Sequence, residues 1–281
     1  MCKKLMLLLA VMAAVLVTAG AGRAEEALKI GLIGESSGSE ESFNKFTAKN
    51  PWVWTVLHPE HEHGSRYVFY DSMIQLLNAL NRGDIDEIDV AEPFGNYLVL
   101  TNPDYKVSCV FYEPSTGVAF GFLNSGKGRE LQANFNSAID QLKASGKLEA
   151  LQEEYINITN YDGIKPVKFE TFGGAETITA AVTGDLPPID YVSAGGQAAG
   201  FNTALLAEIG RILKVNINLL NIETVARSAA LTSGRADVVF WFASYMKDTA
   251  YQYKANEVND EVILSKPYYM WDIYLQLRKK D

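Results

Sequence analysis

Hydroxyl, acidic and aromatic residues follow the predicted strands of this chain, at points where a ligand would bind. In two-lobed α/β proteins the ligand lies in the crevice beyond the carboxyl ends of the strands. The loops at those ends carry these candidate ligand-binding residues: Ser36, Ser37, Ser39, Glu92, Asp185, Leu186, Tyr191, Trp241 and Ser244. Trp241 suits stacking on a ligand, and an aromatic cap on the core is the alternative. For most of the others, the alternative is a place in a loop or in the wall of the crevice.

Patterns for catalysis and metal binding are weak in this sequence. All three histidines fall within His58-Pro59-Glu60-His61-Glu62-His63, where His and Glu alternate at short spacing. The segment lacks the i, i+4 spacing of a helical metal site, so a turn on an acidic surface explains it better than a metal site does. We find no nucleophile beside a base and no other metal-ligand set. The sequence therefore predicts no catalytic residue, no metal and no cofactor.

The first 24 residues have the pattern of a secretory signal peptide. Lys3 and Lys4 precede an apolar run over 5–17, which is too short to span a bilayer, and small residues follow at 19–24. We expect cleavage near Ala24 and export to the periplasm. Cys2 lies ahead of the apolar run, so the cysteine of a lipid anchor is missing from the cleavage site. The predicted mature chain has no membrane anchor.

The charge and the cysteine content of the predicted mature chain exclude several kinds of partner and any disulfide within the chain. Without Lys3, Lys4 and Arg23, the 25 basic residues fall to 22 against 34 acidic ones, a net charge of −12. Such a surface repels nucleic acid and anionic lipid. Cys109 is then the one cysteine left, so no disulfide forms within the chain. Stability must come from apolar cores, and we expect a monomer with about two of them.

An internal repeat indicates the fold class. The pattern ALxxGxxD occurs at Ala79–Asp86 and again at Ala230–Asp237. In each copy an apolar helical stretch precedes the pattern and a β-rich run follows it, so the glycine ends a helix and the aspartate lies near the entry to a strand. Two helix–strand units predict an α/β protein with two lobes. Similar patterns predict strands at 28–33, 178–182 and 215–222 and helices over 131–142 and from about Thr203.

Several longer segments carry a family resemblance. In the second half of the chain they are TGDLPPIDYVSAGGQAAGFNTALLAEIGRIL at Thr183–Leu213, ALTSGRADVVF at Ala230–Phe240 and SKPYY at Ser265–Tyr269. In the first half they are IGLIGESSGSEESF at Ile30–Phe43, ALNRGDIDEIDVAEPFGNYLV at Ala79–Val99 and STGVAFGFLNSGKGRELQANFNSAIDQLKASGKLEALQEEY at Ser115–Tyr155. Residues 178–269 resemble the first lobe of the family 3 extracellular solute-binding proteins, and residues 28–156 resemble the second lobe. The resemblance implies a two-lobed periplasmic binding protein of type II, with the ligand cleft between the lobes.

The order of these segments departs from the family, in which the first lobe precedes the second. We therefore expect a circularly permuted chain, in which a strand like Ile273–Lys279 would otherwise lead into one like Leu28–Ile33. The expected domains are the signal peptide at 1–24, a second-lobe-like domain at 25–120 and a first-lobe-like domain at 121–281. The last domain includes the family's terminal helices at 121–156 and a connector at 157–177. The permutation requires that the two strands lie close together.

The resemblance also identifies two departures in the ligand site. An amino acid needs a cation for its carboxylate and an acid for its ammonium group. The family arginine is missing from 244–249, and the family aspartate aligns with Ala91, one position before Glu92. Arg227 resembles an arginine that some members use for acidic ligands, and a solvated helix arginine is the alternative. A role for Glu92 is similarly open.

The function implied by the resemblance is capture of a small polar solute, an amino acid or a related compound, for delivery to the membrane permease of an ABC importer. No covalent chemistry is required. One alternative is a periplasmic enzyme on the same fold, such as a cyclohexadienyl dehydratase. Another is a ligand-sensing partner of a membrane receptor.

Overall fold

The computed structural model describes residues 28–33, 65–159, 166–192, 196–223, 226–244 and 261–280. Strands and helices alternate along these ranges. The strands are β1 Leu28–Ile33, β2 Ser65–Tyr70, β3 Glu87–Ala91, β4 Tyr105–Leu123, β5 Thr177–Val182, β6 Asp185–Leu186, β7 Asp190–Val192, β8 Ala198–Ala199, β9 Asn216–Asn221, β10 Val238–Ser244, β11 Val262–Leu264 and β12 Tyr269–Lys279. The helices are α1 Met73–Arg82, α2 Glu92–Thr101, α3 Gly126–Ala144, α4 Lys147–Tyr155, α5 Phe201–Leu213 and α6 Arg227–Thr232.

Most of the strands form one mixed sheet. Its order is β2-β1-β3-β12-β4-β10-β5-β9, and β11 pairs with β4 at the side. The strands β2, β1 and β3 run parallel to one another, as do β10, β5 and β9. The strands β12 and β4 separate these two groups and are antiparallel to their neighbours. The predicted α/β class is confirmed, because parallel strands joined by helices build both groups.

The long strand β4 lies between the two groups of parallel strands, with β12 on one side and β10 on the other. Its first part, residues 105–112, pairs with residues 273–279 of β12, which in turn pairs with β3. Its last part, residues 116–123, pairs with β10 and β11. A separate three-stranded sheet, β6-β7-β8, lies against α5. We call the group with β1, β2, β3, α1 and α2 the amino-terminal lobe, and the group with β5 to β10 and α3 to α6 the carboxyl-terminal lobe. The predicted two-lobed architecture is therefore present, and the expected boundary at 120 falls inside β4.

The repeated ALxxGxxD pattern forms the same local structure in each lobe. Gly83 follows α1 with φ of 78°, and Gly234 follows α6 with φ of 70°. This left-handed region costs glycine little, and both glycines end a helix as predicted. The aspartates then lead into β3 and β10. Asp86 accepts the N–H of Lys29 on β1 at 2.8 Å, and Asp237 accepts the N–H of Thr179 on β5 at 2.9 Å.

The core of the carboxyl-terminal lobe lies between the sheet and a layer of three helices. The predicted apolar face of α3 is buried through Leu131, Phe135, Ala138, Ile139 and Leu142. Phe135 meets Phe120 of β4 edge-on, with ring centroids 5.1 Å apart. Leu205, Leu206 and Ile209 of α5 belong to the same cluster. Burial of these side chains fixes the lobe on which the site residues of β5, β6 and β10 are mounted.

The first and last described strands lie near each other in the amino-terminal lobe. Ile88 of β3 pairs with Gly31 of β1 on one side and with Leu277 of β12 on the other. The backbone N–H of Lys280 donates to the carbonyl of Asp104 at 2.7 Å, which ties the end of β12 to the start of β4. One strand therefore separates Leu28–Ile33 from Ile273–Lys279. None of the helices in the described ranges is both long and apolar enough to cross a membrane.

Candidate functional site

The candidate residues fall into three groups: some are fully described, some are described by their backbone alone, and some lie outside the described residues. Ser36, Ser37 and Ser39 lie outside the described residues, as does the histidine segment 58–63. Trp241 and Ser244 are placed in β10, and only their backbone is described. Their roles in binding a ligand stay predictions. Of the remaining candidates, Asp185 and Tyr191 contact the other lobe.

Asp185 bridges the two lobes. Its Oδ2 atom accepts a hydrogen bond from the backbone N–H of Met73, at the start of α1, with N and O 2.9 Å apart. Burial raises the pKa of Asp185, and hydrogen bonds from the N–H groups of Ile74 and Met73 and from the Thr183 side chain oppose that rise. Because β6 belongs to the carboxyl-terminal lobe and α1 to the amino-terminal lobe, this carboxylate faces the other lobe.

A second acid, Asp190, lies on β7, the strand that pairs with the Asp185 strand β6. It was not among the residues predicted from the sequence. It is 2% exposed, and its carboxylate accepts the N–H of Thr183 at 2.8 Å and the Thr183 hydroxyl at 3.3 Å. Burial raises the pKa of Asp190 to about 6, and the negative charge of Asp185 adds to the rise. Its position in the sequence, between the apolar residue Ile189 and the aromatic residue Tyr191, could have indicated that it is buried.

Tyr191 and Leu186 are more enclosed than loop residues usually are. The Tyr191 ring contacts the ring of Tyr97 on α2, with centroids 6.3 Å apart, so it too reaches the other lobe. Leu186 is 3% exposed and belongs to the apolar core. Tyr191 therefore lies at the interface of the lobes. The structure gives Leu186 a place in the core, and its role toward a ligand stays a prediction.

Glu92 lies near Tyr269 of β12, one of the two strands that connect the lobes. It is the first residue of α2, directly after Ala91. Burial raises the pKa of Tyr269 on β12 to about 12, with a further contribution from the negative charge of Glu92. Tyr269 in turn contacts Phe201 and Trp271, with ring centroids 5.8 Å away in each case. Glu92 is thus near enough to Tyr269 for its charge to act on the Tyr269 hydroxyl.

Arg227 is buried, so the alternative of a solvated helix arginine is wrong. It is 3% exposed at the start of α6, and its Nη1 donates to the carbonyl of Phe240 on β10 at 2.9 Å. A buried guanidinium is costly unless its N–H groups find acceptors, and this carbonyl supplies one. Arg227 therefore joins α6 to the strand that ends at Ser244. A role of Arg227 in binding an acidic ligand stays a prediction.

The described residues bring two acids, Asp185 and Asp190, close together without forming a metal site. Asp185 and Asp190 are adjacent, and no group of three or more His, Cys, Asp or Glu side chains within the described ranges has the geometry to hold a metal ion. The arrangement instead offers carboxylates and aromatic rings from both lobes. Such groups bind polar solutes by hydrogen bonds and stacking.

Comparison with solved structures gives distant similarities. The ligand-binding component of an ABC-type import system from Staphylococcus aureus, with zinc bound, is 12% identical with a TM-score of 0.44, over 91% of this chain and 66% of that one. The aliphatic sulphonate binding protein SsuA from Escherichia coli is 14% identical with a TM-score of 0.41, over 90% of this chain and 65% of that one. The present chain thus spans just under two thirds of the length of these two proteins.

A third similar structure is the GluR0 ligand-binding core from Nostoc punctiforme, in complex with L-glutamate. It is 13% identical with a TM-score of 0.39, over 91% of this chain and 85% of that one. No curated protein sequence matches the chain. The family comparison is more specific, because it matches residues 178–280 to a single family. Over residues 178–280 the chain therefore matches the bacterial extracellular solute-binding proteins, family 3.

Proposed function

We propose that this chain is a periplasmic solute-binding protein, which captures a small polar solute between its lobes and delivers it to the membrane permease of an ABC importer. The observation that carries the proposal is the family match over 178–280, which covers β5 to β12. Those elements include most of the carboxyl-terminal lobe and the strand β12. The structure is compatible with this function because its two lobes are joined by the long strands β4 and β12.

In this proposal the solute is bound by contacts from both lobes. Asp185 and Tyr191 contribute from the carboxyl-terminal lobe, and Glu92 contributes from the amino-terminal lobe. We propose the same role for Ser36, Ser37, Ser39, Leu186, Arg227, Trp241 and Ser244. Closure is a shift of population toward the shut state, and the solute drives it by making extra contacts there.

The proposed solute is an amino acid or a related compound. Glu92 is the acid placed to meet an ammonium group, since it begins α2 beside the aromatic rings of β12. A buried ammonium group requires such a partner. Arg227 is the buried cation of the carboxyl-terminal lobe that would meet an acidic group, provided that a ligand can compete for its N–H groups.

We also propose that the lobes are circularly permuted relative to the family. The segments that resemble the second lobe come first, and Leu28–Ile33 lies one strand away from Ile273–Lys279. A short linker would therefore restore the usual connection. A permuted variant that begins near Glu176 and links 280 to 28 should fold to the same structure, and failure of that variant to fold would count against the permutation.

We also propose that the protein is exported to the periplasm. The pattern of the first 24 residues supports export and cleavage near Ala24, and the mature chain is proposed to be a monomer without a membrane anchor. We propose that it has no catalytic activity. Release of product from prephenate by the purified protein would overturn that part and favour the dehydratase alternative.

A thermal-shift screen of the purified chain tests the function. The panel consists of amino acids, small organic acids and amines, each with a matched buffer control. A solute at about 100 times its Kd stabilises the folded state by about 2.7 kcal/mol, which raises Tm by about 5–10 °C for a chain of this size. A shift with one chemical class supports the proposal. Absence of a shift with every compound would contradict it.

A further inference from the structure

The first turn of α1 is capped by residues from both lobes. The Ser72 hydroxyl, from the same lobe, accepts the N–H of Gln75 at 3.3 Å. Asp185, from the other lobe, accepts the N–H of Met73 at 2.9 Å and also binds the N–H of Ile74. The first turn of α1 contains no acidic residue of its own. The negative charge that suits a helix N-terminus is therefore supplied by the opposite lobe.

The surroundings of this contact favour a strong interaction. Met73 is 3% exposed and Tyr191, which pairs with Asp185 between β6 and β7, is 8% exposed. Enclosure of this kind reduces screening by water and salt. The rings of Tyr97 and Tyr191 add a second contact between the lobes close to the first. The charge of Asp185 is costly to bury, and the N–H groups of α1 offset that cost only while the lobes are together.

We infer that Asp185 is a latch residue, whose carboxylate binds the N-terminus of α1 and holds the two lobes closed in the absence of solute. The contact joins residues 112 positions apart. The described backbone connections between the lobes are the strands β4 and β12, and the latch adds a side-chain contact between the lobes that belongs to neither strand. This role for Asp185 goes beyond the proposed capture of a solute and does not require it.

Distances between spin labels in the two lobes test the latch without any solute. The labels are attached to cysteines at Asn78 on α1 and Ala133 on α3, both exposed, in a chain whose Cys2 and Cys109 are replaced by serine. In Asp185→Asn the ratio of the population with the short distance to the population with the long distance is expected to fall by about tenfold, since the amide oxygen can still accept a hydrogen bond but no longer carries the negative charge that strengthens it. An unchanged distance distribution in that variant would overturn the latch.

Ser72→Ala is the matched control, because it removes a cap from the same helix within one lobe. Its distance distribution should equal that of the parent, and a shift as large as that of Asp185→Asn would show that fraying of α1, rather than a latch, opens the lobes. Hydrogen exchange of the unmodified chain gives a test that needs no variant. The latch predicts a protected Met73 amide, and rapid exchange there would overturn it. Neither measurement involves a solute, so failure of the latch is distinct from failure of the proposed function.

Discussion

Asp237 and Thr179 exchange two hydrogen bonds across the start of two parallel strands. The Asp237 carboxylate accepts the N–H of Thr179 at 2.9 Å, and the Asp237 N–H donates to the carbonyl of Thr179 at 2.8 Å. The same exchange joins Asp86 and Lys29 in the amino-terminal lobe, at 2.8 and 2.9 Å. The aspartate of the ALxxGxxD pattern therefore aligns one parallel strand with the next.

Removal of the Asp237 carboxylate should destabilise the carboxyl-terminal lobe. In Asp237→Ala the N–H of Thr179 loses its partner, and the free energy of unfolding is expected to fall by about 1–3 kcal/mol. Urea titration measures the change. Asp84→Ala is the control, because Asp84 forms an exposed ion pair with Arg82 and should change stability by less than about 0.5 kcal/mol. Equal stability of the two variants would contradict the role of Asp237.

Asp190 should make stability depend on pH. Its pKa is about 6 in the folded protein, against 3.8 for an ordinary aspartate, so the folded protein binds more protons than the unfolded chain between those values. The free energy of unfolding should therefore fall by up to about 3 kcal/mol as the pH rises from about 4 to about 7, relative to Asp190→Asn. Urea titrations of both proteins across that range measure the difference. Parallel curves for the two proteins would show that the pKa of Asp190 is not raised.

Substitution by alanine should destabilise the protein much more at Gly128 than at Gly126, although both glycines lie in the first turn of α3. A Cβ at Gly128 would lie 1.8 Å from the carbonyl oxygen of Leu123, whereas a Cβ at Gly126 would meet nothing within 4 Å. We expect Gly128→Ala to cost several kcal/mol, of the order of 3, because the backbone of β4 must move. Gly126→Ala should stay within about 1 kcal/mol of the parent. Thermal unfolding of the pair tests this, and equal Tm values would contradict it.

Local patterns predicted the elements better than they predicted the site. The turns at Gly83 and Gly234, the apolar face of α3 and the strands on either side follow from short-range periodicity and from the few residues that tolerate positive φ. The bond between Asp185 and Met73 joins residues 112 positions apart and depends on how β4 and β12 orient the lobes. No local pattern encodes that orientation.

The burial of Arg227 could not be predicted from the sequence either. A charged residue at the start of a helix favours solvent, and the sequence left that alternative open. The structure buries it because the carbonyl of Phe240 accepts one of its N–H groups. Asp190 is similar, since its partners are the backbone and hydroxyl of Thr183. In both cases the partner is supplied by packing rather than by a motif.

Glu92 provides a test of the ligand's charge. If the solute carries an ammonium group, Glu92→Gln removes its buried partner, and Kd should rise by at least about tenfold while stability without solute changes little. Asp84→Asn serves as a control for the general loss of negative charge, because Asp84 is exposed beyond the far end of α1. An unchanged Kd in Glu92→Gln would remove Glu92 from the site.

Capture of a solute between the lobes can be measured by isothermal titration calorimetry. The purified chain is titrated with the solute that the thermal-shift screen selects. We expect saturable binding of one solute per chain, and weaker binding in Glu92→Gln than in Asp84→Asn. Absence of saturable binding by any amino acid, small acid or amine in the panel would contradict it.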